Sequence, residues 1–480
     1  MPLSFVAASV PDAQVRDVAD VLVAGATLDS RRVTPDSLFF CVPGASVDGH
    51  AFAAAALRAG AAALVVERWL EIEAPQVLVP SARAALGPMS AVLYGDPSAE
   101  LLIVGVTGTN GKTTIVHLLE SILRRAGHRT GAIGTIGARI DGTPVALERT
   151  TPEAPDLLAL LRRMRDAGVT AVAMEVSSHA LAQRRVDGTR FDVAAFTNLS
   201  QDHLDFHPSM EAYFEAKASL FRPQHVEHAV LNVDDPWGRR LLEVAVPRTT
   251  YGLAEGADVR ATDVRAEVSG STFVVDGRRY TTALRGSFNV SNALAAVACA
   301  SVLGVADDAI ERGIAAVTDV PGRMEPIGSG SGPLVMVDYA HTPDSIRSVL
   351  AAARPLTAGR VIVVFGCGGD RDRAKRSPMG RAATQGADLT VVTSDNPRSE
   401  DPLAIIAEVE RGAVQGGGRY VVEPDRRAAI RLALSEAAED DVVVIAGKGH
   451  ETVQELGAVR IPFDDRQVAR EELEALGARP

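Results

Sequence analysis

Short apolar runs alternate with helix-like patterns along most of the chain. The run LLIVGVTG (101–108) ends at a glycine, which is typical of a buried parallel strand. A helical pattern follows from Lys112 to Arg125, and the alternation continues through VTAVAMEVSS, FDVAAFTN and HAVLNVDD. Strands that alternate with helices predict βαβ units. We therefore expect an α/β fold with a mainly parallel sheet and helices on both of its faces.

Two loop-like segments divide this pattern into three parts. YGDPSAE (94–100) is polar and contains proline, and VPGRMEPIGSGSGP (320–333) is rich in glycine, serine and proline. The first part predicts a small α/β unit from DSLFFCVPG, HAFAAAALRAG and AALVVE. The last part predicts a Rossmann-like unit with four strands, at LVMVDYA, RVIVVFGCGG, ADLTVVTSD and DVVVIAGKG. Since the chain is too long for one ordinary core, we expect three domains, at 1–97, 98–325 and 326–480.

The composition is that of a globular protein, with 46% hydrophobic and 23% charged residues among 480. A net charge of −12 without a Lys/Arg-rich run argues against a nucleic-acid binder, although a locally basic pocket for small anions remains possible. The three cysteines lie far apart without metal-binding spacing, which suits a reducing compartment. Neither a signal peptide nor an apolar run of the roughly 20 residues that span a membrane is predicted. We expect a cytoplasmic monomer.

The strongest single motif is TGTNGKTT (107–114), between a predicted strand and a predicted helix. Gly108 and Gly111 let backbone N–H groups approach phosphate oxygens closely. Lys112 can reach the terminal phosphates, and the Thr113 hydroxyl can ligate Mg²⁺. Val106 stands where the general phosphate-loop pattern has its first glycine. The order of strand, loop, Lys-Thr-Thr and helix favours an ATP-type site over a chance glycine-containing turn.

Three further residues of the central part are candidates for chemistry. Glu175 ends the apolar run VTAVAMEV, and a carboxylate at the end of a parallel strand typically faces a ligand crevice. His203 lies in QDHLDFH, after another apolar run. Together with Thr113, these residues suit Mg²⁺ rather than zinc. Lys217, in EAYFEAKASLF, is by periodicity alone a lysine on the solvated face of an amphipathic helix.

The segment TSDNPRSEDP (393–402) follows a predicted buried strand near the end of the chain. Asn-Pro between polar residues is strong loop chemistry. Arg398 comes directly after it. By these local signals, Arg398 is either a solvated loop residue or a cation positioned to bind a carboxylate.

Ordered blocks across nearly the whole chain resemble the Mur ligase family, the ATP-dependent amide-forming enzymes of peptidoglycan precursor synthesis. TGTNGKTT is that family's form of the phosphate loop, which accounts for Val106. The other blocks are LDSRRVTPDSLFF, DGHAF, MEVSSHAL, TNLSQDHLDFH, FNVSNALAA, PGRME, VDYAHTPDS, GCGGDRDRAKR and GKGHE. So many matches in the same order are specific to the family.

The resemblance implies a reaction in two steps. A substrate carboxylate attacks the γ-phosphate of ATP to form an acyl phosphate, and an amine then attacks the acyl carbon and releases phosphate. It implies catalytic roles for Lys112, Lys217 and His203, Mg²⁺ ligation by Thr113, Glu175 and His203, and carbamylation of Lys217 by CO₂, which would let that residue hold a second Mg²⁺. The implied ATP contacts are Gly108, Thr109, Asn110, Gly111, Lys112, Thr113, Thr114, Asn292, Arg323 and Asp338.

The resemblance also implies two further substrate sites. Contacts to UDP-N-acetylmuramoyl-L-alanyl-D-glutamate fall at Leu28, Ser30, Thr150, Thr151, Ser177, Gln183 and Arg185, while Arg149 stands where other members often carry a small polar residue. Contacts to the incoming amino acid fall at Arg371, Asp395, Asn396, Pro397, Arg398, Gly447 and Glu451. DNPR marks members that add meso-2,6-diaminopimelate, whose second carboxylate a planar guanidinium can bind through two hydrogen bonds. We expect a ligase that adds this amino acid to the D-glutamate.

Three alternatives remain open. The chain could add lysine or another amino acid by the same chemistry. Folate polyglutamylation enzymes share the fold and the phosphate loop, but the block LDSRRVTPDSLFF has no use there. A nucleotide-binding scaffold without catalysis is the third alternative, and the intact set of Lys112, Thr113, Glu175, His203 and Lys217 argues against it.

Overall fold

The computed structural model describes residues 1–16, 21–44, 47–267, 269–328 and 332–477. The first of its three units contains strands β1 (Gln14–Arg16), β2 (Gly25–Thr27), β3 (Ser37–Phe40), β4 (Ala61–Val66) and β5 (Gln76–Leu78), and helices α1 (Leu3–Ala7), α2 (Ala53–Arg58) and α3 (Ala82–Leu93). The sheet order is β1-β5-β4-β3-β2, and only β1 runs antiparallel to its neighbour among these strands. Because side chains alternate along β3, Leu38 and Phe40 pack on the α1 and α3 side while Phe39 packs on the α2 side.

The second unit carries a nine-stranded sheet and most of the loops that concern function. Its sheet strands are β6 (Leu102–Thr107), β7 (Thr130–Gly134), β8 (Gly137–Ile140), β9 (Thr143–Val145), β10 (Ala171–Glu175), β11 (Phe191–Phe196), β12 (Val226–Asn232), β13 (Arg248–Gly252) and β14 (Val259–Arg260). A separate antiparallel sheet contains β15 (Thr262–Glu267), β16 (Gly270–Val275) and β17 (Arg278–Thr282). The helices are α4 (Lys112–Arg125), α5 (Ala154–Asp166), α6 (Ser178–Ala182), α7 (Met210–Ala218), α8 (Pro236–Arg240), α9 (Phe288–Val302) and α10 (Asp307–Ala315).

The large sheet has the order β14-β13-β12-β11-β6-β10-β7-β8-β9 and is parallel from β14 to β7. Its central strand β6 is buried on both faces: Ile103 belongs to the core that includes α5, and Val104 to the core that includes α4, α9 and α10. The predicted mainly parallel sheet with helices on both faces is therefore confirmed. Because β6, β10 and β11 are parallel neighbours, the loops after them meet at one edge of the sheet.

The third unit contains strands β18 (Glu325–Ile327), β19 (Leu334–Asp338), β20 (Val361–Phe365), β21 (Leu389–Val392), β22 (Tyr420–Val422) and β23 (Val442–Ala446), followed by a hairpin of β24 (Val453–Leu456) and β25 (Val459–Pro462). Its helices are α11 (Pro343–Ala353), α12 (Arg376–Gly386), α13 (Pro402–Gly416), α14 (Arg426–Glu436) and α15 (Asp465–Ala475). The sheet order is β18-β19-β23-β20-β21-β22, parallel except for β18. Helices α11, α12 and α13 cover one face, and α14 and α15 cover the other.

The loop-like segments and the strand count differ in detail from the sequence-based predictions. The four strands predicted for the third unit correspond to β19, β20, β21 and β23. Strands β18, β22, β24 and β25 were missed because each is only three or four residues long and contains at most one buried side chain. The segment 94–100 is not a flexible linker but packs against the protein, since Pro97 and Ser98 are buried. Within the segment 320–333, residues 329–331 lie outside the described residues. Glu325 pairs with Val337, so the third sheet begins one residue before the boundary expected at 325/326.

Candidate active site

The phosphate loop joins β6 to α4 and is fixed by the loop after β11. Gly108 and Gly111 have φ angles of 144° and 91°, a region that favours glycine. A Cβ at Gly108 would also overlap the Thr197 side chain. The backbone N–H of Thr109 donates to the Asn198 carbonyl at 2.8 Å. The loop is therefore held in place where the N-terminus of α4 favours a bound anion.

Two lysine side chains converge on this loop. Lys112 Nζ donates to the carbonyl oxygens of Gly108 at 2.9 Å and Thr109 at 2.8 Å. Lys217 is 1% exposed; its Nζ donates to the same Gly108 oxygen at 2.7 Å and lies 4.6 Å from the centre of the Tyr213 ring. Burial lowers the pKa of both lysines, and the charge on Lys112 lowers the pKa of Lys217 further. Within the described part of the chain, neither ammonium forms an ion pair, so an anion would complement them both.

The expected metal ligands lie around the same loop. Glu175, at the end of β10, is 1% exposed and accepts hydrogen bonds from the Thr135 backbone N–H at 2.9 Å and hydroxyl at 3.0 Å. Thr113 Oγ1 lies 2.9 Å from Arg323 Nη2, which donates to it. Burial lowers the pKa of His203 to about 3, so its imidazole is neutral near pH 7.

This donor set is a carboxylate, a hydroxyl and a neutral imidazole, which fits Mg²⁺ with part of its water shell. The described residues hold no group of three or more His, Cys, Asp or Glu side chains arranged to bind a metal by themselves. A Mg²⁺ ion bound there would therefore take further oxygen ligands from water and from phosphate groups.

One cavity of about 330 Å³ brings most of the expected nucleotide and metal residues together. Its wall includes the loop from Thr109 to Thr114, both lysines, Glu175 and His203. It also includes residues further along the chain, namely Thr150, Ser177, Asn292, Arg323 and Asp338. Since Asp338 ends β19 of the third unit, the cavity lies between the second and third units.

The other expected contacts to the first substrate adjoin this cavity on the side of the first unit. Thr151 Oγ1 donates to the Glu175 carbonyl at 2.9 Å and accepts from the Ser177 backbone N–H at 3.1 Å. Arg185 and Gln183 are the remaining residues of this group in the second unit. Arg185 donates hydrogen bonds to the Thr151 carbonyl and to the Gln183 side chain. Leu28 and Ser30 lie in the first unit, in a segment joined to the start of α5 by an ion pair of Arg32 and Asp156 at 2.8 Å.

A cationic cluster around Glu153 lies beside these residues. Glu153 is 5% exposed and its carboxylate lies 2.7 Å from Arg83 Nη1, 2.9 Å from Arg149 Nη1 and 2.9 Å from Arg185 Nε. One carboxylate thus faces three guanidinium groups. Burial lowers the pKa of Arg185, and the charges on Arg149 and Arg83 lower it further, against the effect of Glu153. The surplus of positive charge places Arg149 in a site that favours an anionic ligand.

The residues expected to bind the incoming amino acid meet at the carboxyl end of the third sheet. Asn396 Nδ2 donates to Glu451 Oε2 at 2.8 Å, and Lys448 Nζ, which is buried, donates to Asn396 Oδ1 at 3.0 Å and Glu451 Oε2 at 3.1 Å. Arg398 Nη1 donates to the Gly369 carbonyl at 2.8 Å. The segment DNPR and the segment GKGHE are thereby joined into one cluster.

The remaining members of that group do not all join this network. Gly447 has a φ of 112° and packs against the Asp395 carboxylate, where a Cβ would be 2.7 Å from Oδ2. Pro397 joins Asn396 to Arg398 in the loop itself. Arg371 is exposed and donates to the Asp370 carbonyl at 2.9 Å, so it lies outside the network around Asn396.

Several residues of the site have no sequence-based prediction. Asp202 lies 3.2 Å from Lys375 Nζ and 3.4 Å from His341 Nε2, in a buried contact between the second and third units. Burial opposes ionisation of Asp202, but the Lys375 charge and the His341 hydrogen bond hold its pKa well below its usual value. Tyr213 precedes Lys217 by one helical turn, and that spacing could have indicated that their side chains are neighbours.

The chain has four lysines, Lys112, Lys217, Lys375 and Lys448, and each of them belongs to this region. Lys112 is half-buried and the other three are buried. Positive charge elsewhere on the protein is carried by arginine.

Comparisons with known proteins agree with this fold. Family models match at 22–92 (Mur ligase family, catalytic domain), at 106–300 (Mur ligase middle domain) and at 322–449 (Mur ligase, glutamate ligase domain). The chain belongs to the Mur ligase family. In the described residues no helix has the length and apolar character of a membrane span.

Among its relatives, a protein of Geobacillus thermodenitrificans is 48% identical over 92% of this chain and 93% of its own length, and one of Streptomyces avermitilis is 48% identical over 95% and 93%. Both are named UDP-N-acetylmuramoyl-L-alanyl-D-glutamate–2,6-diaminopimelate ligase. A solved structure of a ligase with the same name is 35% identical, with a TM-score of 0.68 and coverage of 95% of both chains. The MurF ligase of Thermotoga maritima in complex with ADP shares the fold, with a TM-score of 0.67 at 21% identity, over 96% of this chain and all of that one.

Proposed function

We propose that this chain is an ATP-dependent ligase that adds meso-2,6-diaminopimelate to the D-glutamate of UDP-N-acetylmuramoyl-L-alanyl-D-glutamate, in peptidoglycan precursor synthesis. The observation that carries the reaction type is the convergence of Lys112 and Lys217 on the phosphate loop, where the described residues offer their ammonium groups only carbonyl oxygens as hydrogen-bond acceptors. The Lys112 ammonium at the N-terminus of α4 suits a polyphosphate. The names of relatives 48% identical over more than nine-tenths of the chain support the choice of substrates.

In this reaction a carboxylate oxygen of the D-glutamate attacks the γ-phosphorus of ATP, and the bond from that phosphorus to the β-γ bridging oxygen breaks. Lys112 and the N-terminus of α4 hold the phosphates and favour the charge on the departing ADP. The diaminopimelate amine then attacks the acyl carbon and loses a proton, and inorganic phosphate leaves. Thr113, Glu175 and His203 would hold Mg²⁺, which supplies charge neutralisation between the phosphate groups.

Lys217 is suited to become a carbamate. Because burial and Lys112 lower its pKa, a larger fraction of its side chain is a neutral amine near pH 7. The neutral nitrogen can attack the carbon of CO₂ and lose a proton, which leaves a negatively charged carbamate. That charge would turn the repulsion between Lys112 and Lys217 into attraction.

The incoming amino acid would bind where Asn396, Arg398 and Glu451 meet. Glu451 can accept hydrogen bonds from the distal ammonium, and Arg398 offers a guanidinium to the distal carboxylate. Because one chain provides all three substrate sites, a monomer suffices for the reaction. Because its substrates are nucleotides, we expect it to act in the cytoplasm.

Phosphate release from ATP tests the proposal. The enzyme is given UDP-muramoyl-dipeptide with diaminopimelate, lysine or ornithine in turn, and the amide product is checked by mass spectrometry. We expect phosphate and product with diaminopimelate, and no product from a Lys112→Ala control. Preferred use of lysine or ornithine would change the assigned amino acid. If no phosphate is released with any of the three amino acids, the protein is a nucleotide-binding scaffold without catalysis.

A further inference from the structure

We propose that Glu455, on strand β24, is a positioning residue for Arg398 and so a determinant of selectivity for an amino acid with a second carboxylate. This inference rests on the proposed function, in which Arg398 receives that carboxylate. It assigns a specific role to the β24–β25 hairpin, which carries Glu455.

The backbone of Arg398 is fixed by this hairpin in an unusual conformation. Its φ angle is 50°, in the left-handed region that residues other than glycine rarely adopt. The Arg398 N–H donates to the Glu455 carbonyl at 3.1 Å, and the Gly457 N–H donates to the Arg398 carbonyl at 2.7 Å. A left-handed arginine held from both sides indicates that the direction of its side chain is constrained.

The side chain of Arg398 is held at two points. Its Nε donates to Glu455 Oε2 at 2.8 Å and its Nη1 donates to the Gly369 carbonyl at 2.8 Å. A guanidinium has five N–H groups, so three remain on Nη1 and Nη2, without partners among the described residues. Those three groups suffice for a carboxylate that binds through two hydrogen bonds. Glu455 therefore orients the guanidinium without occupying the edge that a substrate would use.

The charges around Glu455 favour a further anion. Its second oxygen, Oε1, lies 2.8 Å from Arg460 Nη2, so one carboxylate forms ion pairs with two guanidinium groups. The three side chains together carry one net positive charge. The distal carboxylate of diaminopimelate would neutralise it, whereas the distal end of lysine brings only another positive charge.

Glu455 also supports a second member of the pocket. Its backbone N–H donates to Asn396 Oδ1 at 3.1 Å, and Asn396 in turn contacts Glu451. The hairpin thus fixes both of the residues that the DNPR segment contributes. Supporting contacts of this kind decide whether a binding side chain is held at its working position.

The test compares Glu455→Ala with Glu455→Gln in the phosphate-release assay, with diaminopimelate and lysine each varied at saturating ATP and UDP-muramoyl-dipeptide. Loss of a direct charged hydrogen bond corresponds to about 10- to 150-fold, and loss of an orienting contact should be smaller. We expect Glu455→Ala to raise the KM for diaminopimelate about 5- to 10-fold with kcat little changed. Lysine use should not change, so selectivity should fall by the same factor.

Glu455→Gln retains an oxygen that accepts from Nε, so its KM for diaminopimelate should stay near the parent value. Glu471→Ala is the matched control. Glu471 lies on α15 and its carboxylate is 2.6 Å from Arg427 Nη2, so this change also removes a glutamate that is paired with an arginine. Thermal unfolding checks that every variant is folded.

An unchanged or lowered KM for diaminopimelate in Glu455→Ala would overturn the proposal, as would an equal rise in Glu471→Ala or no rescue in Glu455→Gln. These outcomes leave the proposed function standing. By contrast, a parent enzyme that releases no phosphate with diaminopimelate would refute the proposed function itself.

Discussion

Replacing Lys217 by methionine should stabilise the protein while it abolishes ligase activity. Methionine has a similar length and no charge, so it can fill the same buried space. In the parent, the Lys217 ammonium is 1% exposed and its acceptor is the Gly108 carbonyl, which it shares with Lys112. The substitution removes a buried ammonium that forms no ion pair with any described residue, and it relieves the repulsion between Lys217 and Lys112.

The size of the effect follows from the cost of burying charge. Replacement of a buried ion pair by apolar side chains of similar volume stabilises proteins by up to about 1–4 kcal/mol, and we take the same range for the Lys217 ammonium. For a unit of about 200 residues, each kcal/mol corresponds to about 2–4 °C in Tm. We therefore expect a rise of several degrees for the transition that reports on the second unit, in buffer freed of CO₂.

The effect should depend on pH in a defined direction. The folded-state pKa of Lys217 lies well below its value of about 10.4 in an unfolded chain. Between those two values the unfolded chain binds the additional proton, so the parent gains up to about 1.4 kcal/mol of stability per pH unit as pH rises. The methionine variant lacks this contribution. Its advantage should be largest at the low-pH end of that window and should shrink toward pH 10.

Thermal unfolding at a series of pH values provides the measurement, and Lys375→Met is the matched control. That change leaves the buried Asp202 carboxylate without its lysine partner, so it should destabilise by about 3–5 kcal/mol. Replacement of lysine by methionine is thus expected to stabilise the protein at position 217 and to destabilise it at position 375. A Lys217→Met variant that is less stable than the parent, or whose advantage is constant with pH, would refute the reasoning.

Three other predictions concern binding. Arg398→Ala should lower diaminopimelate turnover by about 10- to 150-fold and leave ATP affinity intact, because it removes one charged hydrogen-bonding partner; equal turnover in mutant and parent would contradict the role of Arg398. Arg83→Ala should raise the KM for UDP-muramoyl-dipeptide about 5-fold, the equivalent of about 1 kcal/mol for a partly exposed charged contact, while the KM for ATP should not change. Glu175→Gln should raise the Mg²⁺ concentration needed for half-maximal activity, and an unchanged Mg²⁺ titration would exclude it as a ligand.

The elements that local pattern defines well were predicted correctly. Helix α4 begins at Lys112 and ends at Arg125 as predicted, because apolar spacing and the glycine before Lys112 define both its face and its start. Strands β6, β10, β11 and β12 of the second unit and β19, β20, β21 and β23 of the third were found for the same reason, since a short apolar run is decided by its own residues. The buried strand β7 was not predicted. By contrast, β22 and the β24–β25 hairpin contain few buried side chains, so their pattern is weak.

Side chains whose role depends on distant partners could not be read from local pattern. Periodicity places Lys217 on a solvated face, yet it is buried against Gly108, 109 residues earlier in the chain. The contact of Arg398 with Glu455 spans 57 residues, and that of Arg83 with Glu153 spans 70. Such pairs form only when segments that are far apart in the chain pack together. For Lys217 it was the family resemblance, rather than the residue pattern, that indicated a role.

The restriction of lysine to four positions makes amine chemistry a selective probe of this protein. The only lysine targets for an amine-directed reagent are Lys112, Lys217, Lys375 and Lys448, and of these only Lys112 is partly exposed in the folded protein. Isotope labelling of lysine would give four side-chain resonances, of which Lys217 should shift with ¹³CO₂ while three serve as internal references. Lysine-directed cross-linkers, in turn, should join neighbouring molecules poorly, because three of the four side chains are buried.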